Sequence, residues 1–347
     1  VLKRLEWFAK NLLAVVVALA CWRPHRRTQA RALLKALGPG ARVLLVRVDN
    51  RVGEALLTTP LIDVLAARGF AVHALVHPKT RRVLERHPHL AGLHDFYRRP
   101  GVMRSLRAQR FAAVINCGNW EVESVTSAIV ARLVGGAGVV VGPANFPSGW
   151  LMDLGVPART DTSSEALQRS HLLCPLVGES GCSEARLSFR ELAPTNLAPA
   201  ARFAVVNPGG RLGYRRVPAA VFAAGARALL ERGVTALVTW GPGEEALANE
   251  VCALAPGAVR APPTDLEQLA GLMKAAALTL CNNTGPMHLA VAVGCPTLAL
   301  FLHMSVERWG HSWAPHHMLD LTPLLDSGAD LEGAVAAAVA QMLPRSR

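Results

Sequence analysis

The chain has 347 residues, 51% of them apolar, and a formal charge of +12 at neutral pH. That length suits two domains of ordinary size, each with its own core. The charge calls for an anionic partner, but only 5% of residues are aromatic and no aromatic–basic stacking platform is present, which argues against nucleic acid. Phosphorylated substrates or a phosphorylated lipid surface remain. Seven cysteines, at positions 21, 117, 174, 182, 252, 281 and 295, show no metal-ligand spacing, so the expectation is reduced, mostly buried thiols in a cytoplasmic protein.

Residues 1–37 carry eight Lys and Arg against the single acid Glu6, around the apolar run Leu12–Trp22. The run is too short to span a bilayer. Its resemblance to a signal-peptide core is discounted in favour of an interfacial helix, with Trp7, Phe8 and Trp22 dipping into lipid and arginines on phosphates. Packing on the protein's own surface is the alternative. After Gly38-Pro39-Gly40, Arg42–Val48 is a near-continuous apolar strand, as in a parallel sheet buried on both faces. A polar turn, Asp49–Glu54, leads to a helix over Ala55–Arg68 that contains Pro60. Strands at Phe70–Val76, Leu93–Tyr97, Phe111–Asn116 and Gly138–Val141 alternate with helices at Thr80–Arg86 and Val122–Leu133. This is a doubly wound βα series. Arg98, Arg99, Arg104, Arg107 and Arg110, near His87, His89 and His94, have no acidic residue between them and could meet phosphates.

Residues 142–200 are rich in Pro, Gly and Ser, with a helix at Glu165–Leu173, a short strand at Arg186–Phe189, and an interdomain linker over 178–199. The second half repeats the βα logic. Strands at Phe203–Asn207 and Val234–Thr239 precede two Gly-rich loops, Asn207–Arg216 and Trp240–Glu245. Leu278–Cys281 is a strand, Asn282–Pro286 a polar turn, Met287–Val293 a helix stopped by Gly294, and Thr297–Phe301 a strand. An alanine-rich helix, Leu331–Leu343, closes the chain.

In open α/β sheets ligands bind beyond the strands' carboxyl ends, where helix N-termini favour anions. Three loops of the second half share that edge and offer close backbone approach, arginines, and Glu244 as an acceptor for ribose hydroxyls. That set suits a nucleotide diphosphate, although it is neither a Walker loop nor a dinucleotide fingerprint. The bland alternative is a helix cap with a buried His288. In the first half Asp49 and Glu54 lie at the corresponding edge. A carboxylate there can take a proton from a hydroxyl, but each also sits where helix capping or dipole pairing would place it. No motif for a metal site or a serine hydrolase is present.

Arg47–Pro60 (RVDNRVGEALLTTP), Asn207–Pro218 (NPGGRLGYRRVP), Trp240–Glu245 (WGPGEE), Asn282–Ala290 (NNTGPMHLA) and Glu307–Gly310 (ERWG) resemble glycosyltransferase family 9, the bacterial lipopolysaccharide heptosyltransferases, over residues 41–320. The resemblance implies an α/β GT-B fold, two doubly wound Rossmann-like domains with a cleft between them. Residues 38–195 would bind the acceptor and 196–347 the nucleotide sugar; the basic amphipathic segment 1–37 lies outside the resemblance. It implies an inverting transfer that needs no metal or other cofactor, from a donor that is usually ADP-heptose, onto lipopolysaccharide core or a related envelope glycan. Such an enzyme would be cytoplasmic or peripheral on the inner membrane, with a phosphorylated glycolipid as acceptor.

By the same resemblance Glu54 is the catalytic base. Thr284, Gly285 and neighbouring backbone N–H groups grip the diphosphate, Arg215 supplies phosphate charge, Glu244 lies near the nucleoside, and Gly241 and Pro286 belong to the same donor site. Asn283 and His288 line the donor pocket, and Asp49, Asn50 and Arg51 meet the acceptor. Three positions depart from the family's usual residues: Glu54 for Asp, Asn283 for Asp and Arg215 for Lys. The first two motivate a second reading, a catalytically weakened GT-B protein that binds a nucleotide sugar or glycan without efficient transfer. The missing fingerprint disfavours an NAD-dependent reductase.

Overall fold

The computed structural model describes residues 2–96, 100–121 and 124–344, without the side chains of 2–8 and 100. The chain divides into two compact units, residues 1–190 and 191–347. Each is built on a six-stranded sheet whose observed strand pairs are all parallel.

In the first unit the strands are β1 (Arg42–Arg47), β2 (Ala71–Val76), β3 (Gly92–Asp95), β4 (Ala113–Asn116), β5 (Val139–Pro143) and β6 (Leu154–Val156), in the order β3-β2-β1-β4-β5-β6. Val43 on β1 faces Val72 of β2 and Ala113 of β4. Every residue of β1 after Arg42 is buried, which explains its unbroken apolar run. The helix expected over 55–68 is broken in two, Val52–Leu56 and Thr59–Ala67. Pro60 has no N–H for the preceding turn, so it sits in the first turn of the second piece instead. The break leaves Glu54 on its own short helix, at the carboxyl edge of the sheet.

The N-terminal segment forms two helices, Leu2–Ala20 and Pro24–Lys35. Their small faces enter the first unit: Ala14 and Ala18 join a core cluster with Leu44, Val46, Ile129 and Leu151, and Ala30 and Leu34 are buried. The other face of the first helix leaves Leu12, Leu13, Val16 and Leu19 exposed. Beside it Arg27 lies 4.1 Å over the ring of Trp22 and donates to the carbonyl of Trp150. Exposed Phe146 meets exposed Trp150 edge to face at 5.3 Å. The side chains of Trp7 and Phe8 lie outside the described residues. No helix among the described residues is long and apolar enough to cross a membrane.

Two expectations are corrected here. No strand forms at Arg186–Phe189. That stretch is held by side chains, with the Ser188 N–H donating to Thr59 Oγ1 at 3.0 Å and its hydroxyl to Asp63. The cysteines are not all reduced, because Cys174 and Cys182 form a disulfide. Gly178, at φ 78°, reverses the chain between them. The histidines near the arginine run are engaged within the unit: His87 with Ser188 at 3.1 Å, His89 with Asp63 at 2.6 Å, and His94 with His73 at 3.2 Å. Arg104, Arg107 and Arg110 are exposed; Arg98 and Arg99 lie outside the described residues.

In the second unit the strands are β7 (Phe203–Asn207), β8 (Thr235–Val238), β9 (Val259–Arg260), β10 (Thr279–Asn282), β11 (Thr297–Phe301) and β12 (His317–Asp320), in the order β12-β11-β10-β7-β8-β9. Its core joins β7, β8, β10 and β11 to the helices Ala219–Leu230 and Leu331–Met342 through Val206, Phe222, Leu280, Leu300 and Val339.

A buried ion pair ties the first unit together away from its sheet edge. Arg132, on the helix Val125–Val134, donates to Asp153 Oδ1 at 2.8 Å, and Asp153 Oδ2 accepts the Val140 N–H at 2.9 Å. Asp153→Ala strands a buried guanidinium, so chemical denaturation should show the first unit destabilised by about 3–5 kcal/mol. A cost below about 1 kcal/mol would mean the pair is already solvated.

Candidate functional site

Both sheets reverse their winding direction at one place. In the second unit the chain leaves β7 toward β8 and β9, then returns to add β10 on β7's other side. The loops after β7 and β10 therefore diverge, and a crevice opens beyond their carboxyl ends. The first unit does the same between β1 and β4.

At the β7/β10 crevice, side chains stitch three polar loops together. Asn282, buried at the end of β10, accepts the Val217 N–H at 3.1 Å and donates to the carbonyls of Pro208 at 2.7 Å and Gly209 at 3.2 Å. Glu244 accepts the Gly210 N–H at 2.8 Å with one oxygen and the Gly241 N–H at 3.0 Å with the other. A Cβ on Gly209 would fall 2.1 Å from Glu244 Oε2, so a side chain there would push the carboxylate out of its clasp. A Cβ on Gly210 would lie 3.5 Å from Thr284 Cγ2, which brings the third loop alongside. Glu244 is thus first a clasp between loops; its two oxygens still have lone pairs for a hydroxyl donor.

Thr284 is the N-cap of the helix Gly285–Ala292, but its side chain does not cap it. Its hydroxyl instead donates to the Asn282 carbonyl at 3.3 Å. The helix terminus, with Pro286 in its first turn, keeps its positive end directed outward. The Asn283 N–H bonds the Leu300 carbonyl at 3.1 Å, which continues the β10–β11 ladder and leaves its amide side chain half-buried. Arg215 stands on a one-turn helix, Gly213–Arg215, with its guanidinium 5.1 Å over the Tyr214 ring. Its buried Nε has no hydrogen-bond partner in the protein. An unpaired cationic donor on one of these loops and an uncapped helix terminus on another are both groups that suit an anion.

His288 is buried, with Nδ1 2.8 Å from Nε2 of buried His311. Burial, then the neighbouring His288 and His316, pushes the His311 imidazole well below its usual range. It is therefore neutral at pH 7, and one ring of the pair donates to the other. Sequence reasoning missed His311, although it directly follows the Glu307–Gly310 motif.

At the β1/β4 crevice Glu54 is enclosed by cations. Its Oε2 takes Arg47 Nη2 at 2.6 Å and also Arg169, while its Oε1 faces Arg51 at 3.3 Å. Arg169 also donates to the Glu54 carbonyl at 3.0 Å and to Glu165 at 2.8 Å. Asp49 pairs with Arg47 and accepts the Arg51 N–H at 3.1 Å, whereas Asn50 is exposed. Three guanidiniums thus meet three carboxylates. Burial alone would raise the Glu54 carboxyl, but Arg169, Arg47 and Arg51 outweigh it and hold it well below the usual carboxylate range. Arg47 lay inside a recognised motif without a role. Arg169 and Glu165 gave only an i,i+4 pair on a helix, Glu165–His171, more than a hundred residues downstream.

Residues 99–319 match the family described as glycosyltransferase family 9 (heptosyltransferase). No curated protein sequence matches the chain. Among solved structures it is similar to a family 9 glycosyl transferase from Veillonella parvula DSM 2008, with a TM-score of 0.76 and 20% identity over 89% of this chain and 98% of that one. It is also similar to E. coli heptosyltransferase WaaC with ADP, with a TM-score of 0.70 and 19% identity over 86% and 98%. E. coli ADP-heptose lps heptosyltransferase II gives a TM-score of 0.66 and 18% identity over 85% and 98%. These likenesses establish the α/β GT-B fold.

Two outcomes test this geometry. Gly209→Ala forces Glu244 away and should cost about 1–3 kcal/mol; in a Glu244→Ala background most of that penalty should disappear, which a double-mutant cycle of unfolding measures. A penalty unchanged by Glu244→Ala would place the clash elsewhere. For Glu54, a folded pKa depressed below the unfolded value means stability that is fully present above about pH 4.3 and is lost as pH falls toward the folded pKa. Acid titration of the first unit's unfolding should show this loss for the wild type. Glu54→Gln should be less stable by about 3–5 kcal/mol near neutrality and lack that part of the acid slope.

Proposed function

We propose that this chain, which belongs to glycosyltransferase family 9 (heptosyltransferase), is an inverting, metal-independent transferase. It moves heptose from ADP-heptose onto lipopolysaccharide core or a related envelope glycan. The observation that carries the donor half is the β7/β10 crevice, whose loops supply Arg215, with its Nε unpaired, and the Thr284–Gly285 helix terminus, without a side-chain cap. Those groups can stabilise a departing diphosphate as its charge grows. WaaC with ADP, and with ADP-2-deoxy-2-fluoro heptose, shares the fold, which supports the choice of nucleotide and sugar.

In this reading Asp49, Asn50 and Arg51 border the acceptor, and an acceptor hydroxyl attacks the anomeric carbon while Glu54 Oε1 receives its proton. Oε2 is occupied by Arg47 and Arg169, so Oε1 is the oxygen open to this role. Arg51 is half-exposed and can swing aside. Three guanidiniums make Glu54 a weak but permanently ionised base, so its contribution belongs at the lower end of the usual ~10²–10⁴-fold. The exposed Leu12, Leu13, Val16, Leu19, Trp22, Phe146 and Trp150, with Arg27 against Trp22 and Trp150, support peripheral contact with the cytoplasmic face of the inner membrane, where a phosphorylated glycolipid would be met.

The depressed basicity of Glu54 and the uncharged Asn283 favour the second reading, a protein that binds a nucleotide sugar without efficient transfer. Thermal melts against a panel of nucleotide sugars test donor binding first. ADP-heptose and ADP should raise the melting temperature of the wild type, and Arg215→Ala should lose most of that rise. Transfer assays on Glu54→Gln, read per folded molecule, should then show kcat reduced by about 10²-fold or more with the donor-induced rise intact. Transfer retained in Glu54→Gln would overturn the base assignment. A wild type stabilised by donor yet inert in transfer would establish the binding reading.

A further inference from the structure

A second chemical cluster lies at the far end of the helix that grips Glu54. That helix, Glu165–His171, ends on His171. Cys174 opens a one-turn helix, Gly178 reverses the chain, and a turn at Glu179–Gly181 delivers Cys182 back to Cys174. We propose that His171, Cys174, Glu179 and Cys182 form a redox-gated site for a thiophilic divalent ion of the zinc type, closed while the Cys174–Cys182 disulfide is intact and four-coordinate once it is reduced.

The donor atoms are already gathered, all within 4.8 Å of one another. His171 Nδ1 lies 3.1 Å from Cys174 Sγ and 3.8 Å from Glu179 Oε2, and Cys174 Sγ lies 3.5 Å from that oxygen. Zinc–sulfur bonds of about 2.3 Å and zinc–nitrogen or –oxygen bonds of about 2.0–2.1 Å give tetrahedral edges of roughly 3.3–3.8 Å, the longest between the two sulfurs. The three separations among His171, Cys174 and Glu179 differ from their edges by about half an ångström or less, and the two sulfurs, bonded to one another now, part to reach theirs only on reduction. Two thiolates, an imidazole and one carboxylate form a soft set that favours zinc-type ions over magnesium or calcium. Cys182 is buried, His171 and Cys174 are half-buried, and Glu179 is exposed, so an ion can enter from the Glu179 side.

The chemistry balances without an unnamed partner. A cellular dithiol donates two electrons and two protons to the disulfide, giving two thiols and becoming a disulfide itself. Zinc then displaces both thiol protons to solvent. His171 ligates through the Nδ1 lone pair with its proton on Nε2, and Glu179 contributes one carboxylate oxygen. Metal binding is read without reference to glycosyl transfer, so the site stands or falls independently of the proposed function.

The test uses the full chain, reduced with a dithiol, desalted under anaerobic conditions and titrated with zinc(II) and cobalt(II). The reduced chain should bind one equivalent, and cobalt should show thiolate charge-transfer bands with the d–d bands of a tetrahedral site. The oxidised chain should bind none. Cys174→Ser and Cys182→Ser should take the reduced stoichiometry from one to none, whereas Cys252→Ser should leave it at one. Alkylation mapping needs no variant: zinc should protect Cys174 and Cys182 of the reduced wild type and leave Cys252 unprotected. A reduced wild type without thiolate–cobalt bands, or equal alkylation of Cys174 and Cys182 with and without zinc, overturns the proposal.

Discussion

An all-parallel sheet imposes a constraint that organises both units. Parallel neighbours cannot be joined by tight turns, so each connection crosses a face of the sheet, usually as a helix. Helices then cover both faces, strands become apolar throughout, and polar side chains collect at the edges. The single place where the winding reverses is where two loops diverge and backbone N–H groups face outward. In the first unit that place is the β1/β4 edge and in the second the β7/β10 edge. Each set of proposed site residues falls at its unit's reversal, which is a consequence of topology before it is one of chemistry.

The two edges are furnished differently. At β7/β10 the loops are clasped by neutral and acidic groups, Asn282 and Glu244, which use backbone amides and carbonyls as partners. The clasp leaves the positive groups, Arg215 and the helix terminus, with capacity for a negative ligand. At β1/β4 the balance is internal. Glu54 is buried, and a buried carboxylate persists as an anion only if cations surround it. Arg47 and Arg169 meet that need, and Glu165 and Asp49 offset the charge they bring. The result is a fixed anion whose position is set by side chains from two separate stretches of chain, residues 47–51 and 165–169.

The N-terminal segment shows one helix with two different faces. Alanines at positions 14 and 18 let it approach the core of the first unit closely, while leucines and valine on its outer face remain exposed. The aromatic pair Phe146–Trp150 and the Arg27–Trp22 stack extend that exposed surface from a different part of the chain. Packing on the protein's own surface accounts for one face of this helix, and the exposed apolar residues proposed to meet lipid lie on the other.

The sequence alone determined much of this. Buried parallel strands read as unbroken apolar runs because their periodicity is local. The loops after β1, β7, β8 and β10 were legible because Gly, Pro and Asn cluster where strands give way to helices. Family motifs pointed to Glu54, Arg215, Glu244 and Thr284. Tertiary structure decided who holds whom: Arg169 reaches Glu54 across more than a hundred residues, His311 pairs with His288, Asn282 rather than Asn283 ties the loops, and Glu244 bonds amides of two loops. It also closed the Cys174–Cys182 disulfide and broke a helix at Pro60. Propensity and hydrophobic period are carried by neighbours in sequence, whereas charge pairing and side-chain ligation depend on distances that only the folded chain sets.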